Sequence, residues 1–575
     1  MTPITSFAIS RLIMAVVVSL GFALGQMTPA SAQIAGFSSP SPSGSYLAGI
    51  EALDGLNTSE AASAFLDAAQ SQWDNPAIIE RAFVALVADG RVDDAKGLAT
   101  RMLELSPGHN LAALVLGTIA LKEHRYKSAI NRLQALGLGN FIDIAGYVVR
   151  AWAYVGQSDL NKAFDVLDEM KTSGLEKFLI YHRALMADVA GDPRALDFAK
   201  RAYQADQYVP TIVETYARIL GNAGNDKAAL EVLSAYQGQG LSNPLVLQVR
   251  TDIEAGRLPG KFASNPSQGA AELFRGIGAA LVRDGEKDIA MVFLRLGLYL
   301  NPKDDSIAMA IGNLLDASGR YREANAIYSS ISNSSLMKPG AIVLIANNID
   351  AMGNRGEAIR RLENIVAKAP KNLEAVKALG DLLRMDEQYD AAAAMYTKAL
   401  EIVGGNHPGD WLYFYLRGIS NHMRDRWDLA EKDFLSALNL NPDQPQVLNY
   451  LGYSWVDMGI NLDRALKMIQ RAVQSSPRDG YIVDSLGWAI YKLDRFEEAV
   501  PILEQAVRLM PNDPEINDHL GDAYWRVGRK LEARFQWKIA TAVDTVGDVT
   551  KRAAPKLKLG LDAAQSAAKQ AKPAS

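Results

Sequence analysis

The sequence predicts an all-α protein, a solenoid of antiparallel helix pairs, on three observations. Small residues recur at or near a 34-residue step: Gly278, Gly312, Ala346, Gly380, Gly418, Gly452, Gly487 and Gly521. Twelve residues beyond these stand Ala290, Ala324, Ala358, Ala392, Ala430, Ala499 and Ala533, with a slip of one to Ala465. Prolines fall near the ends of the units, at Pro302, Pro370, Pro442, Pro477 and Pro511. A repeat of this length marks stacked helical units, each too small to bury its apolar face alone.

Taken in order, the chain opens with a stretch that is set aside from the fold. Arg11 precedes the apolar run "LIMAVVVSLGFALG" (12–25), and "ASA" (30–32) matches a small-residue cleavage pattern. Residues 1–32 are therefore expected to be a cleaved signal peptide, the run being shorter than the roughly 20 residues a bilayer span needs. The protein is then expected to be periplasmic. No cysteine occurs, so there is no disulfide, no thiol nucleophile and no lipid attachment at an N-terminal cysteine. The net charge is −5 and 49% of residues are hydrophobic, a soluble, folded composition that argues against nucleic acid as a partner.

After a linker at 33–45, the period continues in weaker form over 46–257. Gly49, Phe83, Gly117 and Ala151 are 34 apart, Ala61, Ala95, Ala129 and Ala163 follow twelve later, and Ala184 and Ala217 extend the series. "LPGKFASNPSQG" (258–269) reads as a joint over 258–270, and a regular array runs over 271–546. The count is six weak units and eight clear ones, about 14 in two arrays.

These residues resemble the tetratricopeptide repeat (TPR). The resemblance implies a right-handed superhelix of antiparallel helix pairs, in which Gly487 on a first helix and Ala499 on a second let the two backbones approach. Glycine inside a helix costs about 1 kcal/mol relative to alanine. Burial of Leu486, Phe496, Leu503 and Val507, at about 1.5–3 kcal/mol for each large side chain, offsets that. Ala506 admits the next unit, and Pro511 closes the second helix.

Sites of chemistry are sparse. The six histidines, His109, His124, His182, His407, His422 and His519, form no HExxH motif, and there is no GxxxxGK[ST] loop and no GxSxG elbow. "GIG" at 276–278 falls inside a repeat helix, and Glu497-Glu498 reads as a solvated helix face. No catalytic residue, metal ligand, cofactor or small-molecule substrate is assigned, and the chain is expected not to be an enzyme.

Binding is the better reading. The positions of the first helices that should line a concave face carry Tyr415 and His422; Asn449 and Tyr453; Tyr481, Asp484, Trp488 and Tyr491; and Asp518, Asp522 and Trp525. Aromatic rings beside Asn and Asp can bury apolar side chains while hydrogen-bonding a peptide backbone. The aspartates favour a neutral or basic protein segment as the ligand. Trp427, Trp455 and Trp537 sit at interior positions and read as core, whereas Trp488 and Trp525 suit either groove or packing. The stretch 547–575 carries Lys551, Arg552, Lys556, Lys558, Lys569 and Lys572 against Asp548 and Asp562. It suits either a capping helix with a disordered tail or peripheral contact with anionic membrane or cell wall.

The run "YLRGISNHMRDRWDLAEKDFLSALNLNPDQPQVLNYLGYSW", with "DGYIVDSLGWAIYKL" and "DPEINDHLGDAYWRVGR" after it, is similar to bacterial envelope tetratricopeptide proteins. That group includes lipoprotein adaptors that bring cell-wall hydrolases to a periplasmic carboxyl-terminal processing protease. The resemblance implies a non-catalytic scaffold of the cell envelope, the missing cysteine ruling out the lipoprotein anchor. Exopolysaccharide secretion or outer-membrane assembly is the alternative setting, and a repeat-fused glycosyltransferase a remote one.

Overall fold

The computed structural model describes residues 41–137, 139–170 and 175–570. The expected signal peptide and most of the linker after it lie outside these. Every regular element among the described residues is helical, and the helices come in antiparallel pairs. Six pairs run from Pro42 to Gly238 and eight from Pro266 to Val543, with the single helix Pro244–Glu254 between them and a further short pair, Asp548–Leu559 and Leu561–Gln570, at the end. The fold is an all-α tetratricopeptide-type solenoid. No helix among the described residues is long and apolar enough to cross a membrane.

The recurring small residue lets the second helix come close, and a side chain fills most of the space. A Cβ on Gly487 would lie 2.6 Å from Cγ of Leu503 and 3.3 Å from the Leu503 amide nitrogen. The side-chain contact recurs sixteen residues downstream of Gly49 (Phe65), Gly312 (Tyr328), Gly418 (Phe434) and Gly521 (Trp537). Each glycine is thus a socket for one large side chain of the second helix, which fills the space a methyl group would take. Phe83 shows the exchange reversed: the large residue is on the first helix, Ala99 stands sixteen later, and both are fully buried. Ala499 is fully buried as well, and Ala506 clusters with Val483 and with Ile516 of the next pair.

Contacts divide the described residues into two compact units, one ending at Arg361 and one beginning at Leu362. The stretch read as a joint at 258–270 lies inside the first. Gly260 exchanges hydrogen bonds with the Asn222 side chain (3.0 and 3.2 Å), and Arg218 donates to the Pro259 carbonyl. Asn265 then caps the helix Pro266–Asp284, its Oδ1 accepting from the Gln268 amide.

Within this unit the pair Pro266–Leu300 lies across the first helices of the preceding pairs. Gly269 abuts the Trp152 indole so closely that a Cβ would fall 2.2 Å from it. Glu272 accepts from the Tyr181 hydroxyl (3.3 Å) and from Arg275, which reaches Thr211. Further along, Arg295 donates to the Ala88 carbonyl (3.1 Å), Tyr299 to Asp93 (2.5 Å), and Lys122 to the Tyr299 carbonyl. His182 is sealed beneath this contact, and burial, with Glu272 opposing it, pushes its pKa down to about 4.

Candidate protein-binding face

In the unit beginning at Leu362 the first helices are Leu373–Met385, Trp411–His422, Pro445–Asp457, Gly480–Lys492 and Pro514–Arg526. Their caps follow the sequence: Asn372, Asp479 and Asp513 each accept a backbone N–H of the first turn, the usual device for satisfying orphan amides. This fixes which side chains share the face.

At the upper end Tyr415 is buried among Phe434, Tyr450 and Trp411. His422 is half-buried, Nδ1 3.0 Å from the Tyr450 hydroxyl, and its ring lies edge-on to Trp427. Burial lowers its pKa. Asn449 and Tyr481 are also half-buried, and Asn449 Oδ1 has no hydrogen-bond partner among the described residues. Tyr453 is buried.

The lower end is a ladder of charge. Asp484, fully buried, lies 2.9 Å from Nδ1 of His519, whose Nε2 is 3.4 Å from Glu515. Burial works against a charged His519, but the two carboxylates outweigh it and hold the pKa up at about 10. Arg552 bonds Glu515 and Asp518, and Lys556 places Nζ 2.7–2.9 Å from all four carboxylate oxygens of Asp518 and Asp522. Asp522 also accepts from Trp537 Nε1 (2.9 Å). Burial and Asp518 raise its pKa, against the pull of Lys556, to about 6. Burial likewise opposes ionised Glu515, yet His519 and Arg552 bring it to about 2.

Several residues expected on the open groove are therefore inside. Asp484, Asp518 and Asp522 are 0%, 2% and 4% exposed, so their charge is spent on His519, Arg552 and Lys556 and offers nothing to a basic ligand. Tyr415, Tyr453 and Tyr491 are likewise buried between helices. Trp525 is half-buried and used for packing: its Nε1 donates to Asp562 (2.9 Å), Lys530 lies 3.8 Å over its ring, and a Cβ on Gly560 would fall 2.4 Å from it. Trp488 stacks on His519 at 3.9 Å and on Tyr491 at 4.5 Å, and remains half-buried. Among the core tryptophans, Trp455 and Trp537 are fully enclosed, and Trp427 is half-buried.

The pairing of Arg552 and Lys556 was missed by sequence reasoning, although a signal existed: they stand 34 residues beyond Asp518 and Asp522. The helix Asp548–Leu559 packs on Pro514–Arg526 and Lys530–Val543 as the next first helix would. Of the tail's cations Lys556 is thus buried and Arg552 half-buried, both in ion pairs, while Lys551 and Lys558 stay exposed. No group of three His, Asp or Glu among the described residues could hold a metal ion.

The family model of the tetratricopeptide repeat matches residues 345–410, 460–514 and 485–538, within the helix pairs whose sockets and caps are described above. These stretches are tetratricopeptide repeats. The chain is 26% identical over 220 residues to the human protein O-mannosyl-transferase TMTC1, covering 37% of this chain and 24% of that one. It is 29% identical over 155 residues to the TPR repeat-containing protein PA4667 of Pseudomonas aeruginosa, covering 24% and 26%. The chain therefore spans about a quarter of the length of the curated relatives it matches. Solved structures similar to it include the Cut9–Hcn1 assembly of the APC/C (15% identity, TM-score 0.38, covering 97% of this chain and 99% of that one) and yeast Tom70 (13%, 0.35, 92% and 97%). YrrB, described as a TPR protein with an unusual peptide-binding site, is 17% identical with a TM-score of 0.25, covering 31% and 90%.

Proposed function

We propose that this protein is an exported, non-catalytic scaffold of the bacterial cell envelope that holds another protein on the first helices of residues 362–526. One observation carries the reading: His422, Asn449, Tyr481 and Trp488 stay half-buried on successive first helices, while their neighbours are locked into packing. A row of partly exposed aromatic and amide groups suits an apolar segment with free backbone polar groups. With the aspartates neutralised from within, the ligand need not be basic. In the unit ending at Arg361 the corresponding face is covered by residues 266–300, which leaves the later unit to bind.

The finer reading is that the captured proteins are cell-wall hydrolases presented to a periplasmic processing protease. Photo-crosslinking from position 488 in cells tests the first part: a defined protein adduct, reduced when Tyr481→Ala and Asn449→Ala are added, is expected. No adduct, or one indifferent to those changes, would remove the face from consideration. Deleting the gene tests the second: wall-hydrolase levels should rise. Unchanged hydrolases with impaired polymer export would point to a secretion scaffold instead.

A further inference from the structure

The outermost face of the last long second helix, Lys530–Val543, breaks the pattern of the units before it. Counted from the small residue of each second helix (Ala430, Ala465, Ala499, Ala533), the positions two before, two after and six after are Asp428, Lys432 and Ser436; Asp463, Lys467 and Arg471; Glu497, Pro501 and Gln505. In the last unit they are Leu531, Phe535 and Ile539. These three are 68%, 59% and 38% exposed, and Val546 just beyond the helix is 69% exposed. In the three units before it none of these positions carries a large apolar side chain, so the apolar character here is specific to the position.

A row of cations runs beside the apolar row. Lys530, Arg534 and Lys538 each precede one of the three apolar residues, and all are exposed. Lys551 and Lys558 are exposed on the following helix, and Leu559 next to Lys558 is 56% exposed. Residues 529–559 hold eight Lys and Arg against three Asp and Glu; setting aside Arg552 and Lys556, which are paired with Glu515, Asp518 and Asp522, six cations still face three acids, in a chain that is acidic as a whole.

We propose that this face lies on an anionic lipid surface, with Leu531, Phe535, Ile539 and Val546 among the acyl chains and the neighbouring cations at the phosphates. An apolar helix face bordered by Lys and Arg is the composition of helices that lie in a bilayer interface. A second copy is the poorer occupant, because two such faces would bring like charges together along the contact. The surface is separate from the protein-binding face, which is built on first helices.

The absence of cysteine makes the test local. In the full chain, Ala542→Cys, on the exposed side of the same helix, carries an environment-sensitive fluorophore, and Asp428→Cys carries it in a control protein. Phosphatidylcholine vesicles with a minor share of phosphatidylglycerol should blue-shift and brighten the label at 542 several-fold and leave that at 428 in water. Neutral vesicles should act far more weakly. The variant K538Q/K551Q/K558Q, altered only at exposed sites, should keep its thermal melt and lose most of the response. The proposal fails if the 542 label ignores anionic vesicles, if both positions respond alike, or if the neutralised variant responds fully. A shift that grows with protein concentration without vesicles would assign the face to a second copy instead, and one seen only with an acidic protein, to that protein.

Discussion

Gly487, inside the first helix Gly480–Lys492, and Gly97, inside the second helix Val92–Leu105, should respond to the same substitution with opposite sign. Gly97 lies in the helix Val92–Leu105, and an added Cβ would meet nothing within 4 Å. Gly97→Ala should therefore recover the helix-propensity difference, stabilising by about 0.5–1 kcal/mol. At Gly487 the new methyl would lie 2.6 and 2.7 Å from Leu503 Cγ and Cδ2 and 3.3 Å from the Leu503 amide nitrogen. Leu503 is fully buried, so it cannot rotate clear without disturbing its own neighbours. Overpacking of this kind costs about 1–3 kcal/mol. Set against the gain of about 1 kcal/mol in propensity, the net effect is a loss of up to about 2 kcal/mol. A repeat array does not unfold as one two-state unit, so the fitting assay is hydrogen exchange resolved to peptides. Protection over 480–509 should fall in Gly487→Ala, and protection over 92–105 should rise in Gly97→Ala, about tenfold per 1.4 kcal/mol. If Gly487→Ala protects its helix pair as Gly97→Ala does, the socket account of the repeat is wrong.

Other outcomes follow from the charge ladder and the covered face. Lys556→Met leaves two buried carboxylates facing each other and should destabilise the last pairs by about 3–5 kcal/mol; adding Asp518→Asn and Asp522→Asn should recover much of this, as thermal melts can read. His182, depressed from 6.5 to about 4, is neutral in the fold and protonates more readily when unfolded. Its unit should be at full stability above pH 6.5 and lose about 3 kcal/mol as the pH falls toward 4; His182→Phe should flatten that slope in pH-dependent exchange over 176–190. His519 runs the other way, its contribution being complete below pH 6.5 and lost as the pH rises through about 10. Gly269→Val should drive a side chain into Trp152 and release the pair 266–300, seen as a red shift of tryptophan emission and faster exchange over 266–300.

The helix pairs were legible because their signal is periodic: Gly487, Ala499 and Pro511 mark a first helix, a second helix and its end. What faces what was less legible. Asp518 and Asp522 look like free groove acids until the 34-residue step is carried on to Arg552 and Lys556, in a stretch whose Ala, Pro and Lys content reads as tail. Trp525 at a groove position is consumed by Gly560 and Asp562, a contact set by a turn with no repeat signature. The placement of 266–300 is opaque for a stronger reason. Arg295 meets the Ala88 carbonyl across 207 positions of sequence, and no local pattern encodes such a meeting. The apolar face at Leu531, Phe535 and Ile539 was visible in the letters alone, but only by aligning each unit with its predecessors.

That long reach from Arg295 to Ala88 alters how the unit ending at Arg361 assembles. Solenoids ordinarily gain order by neighbour-to-neighbour propagation, and tolerate loss of terminal modules. Here the helices 76–88 through 210–222 await a cover synthesised only after them, so loop closure must precede its reward, as in slow, high-contact-order domains. A nascent chain ending before residue 266 would expose Trp152 and His182 to water, and ribosome-release mapping should find protease resistance arriving for the whole unit at once.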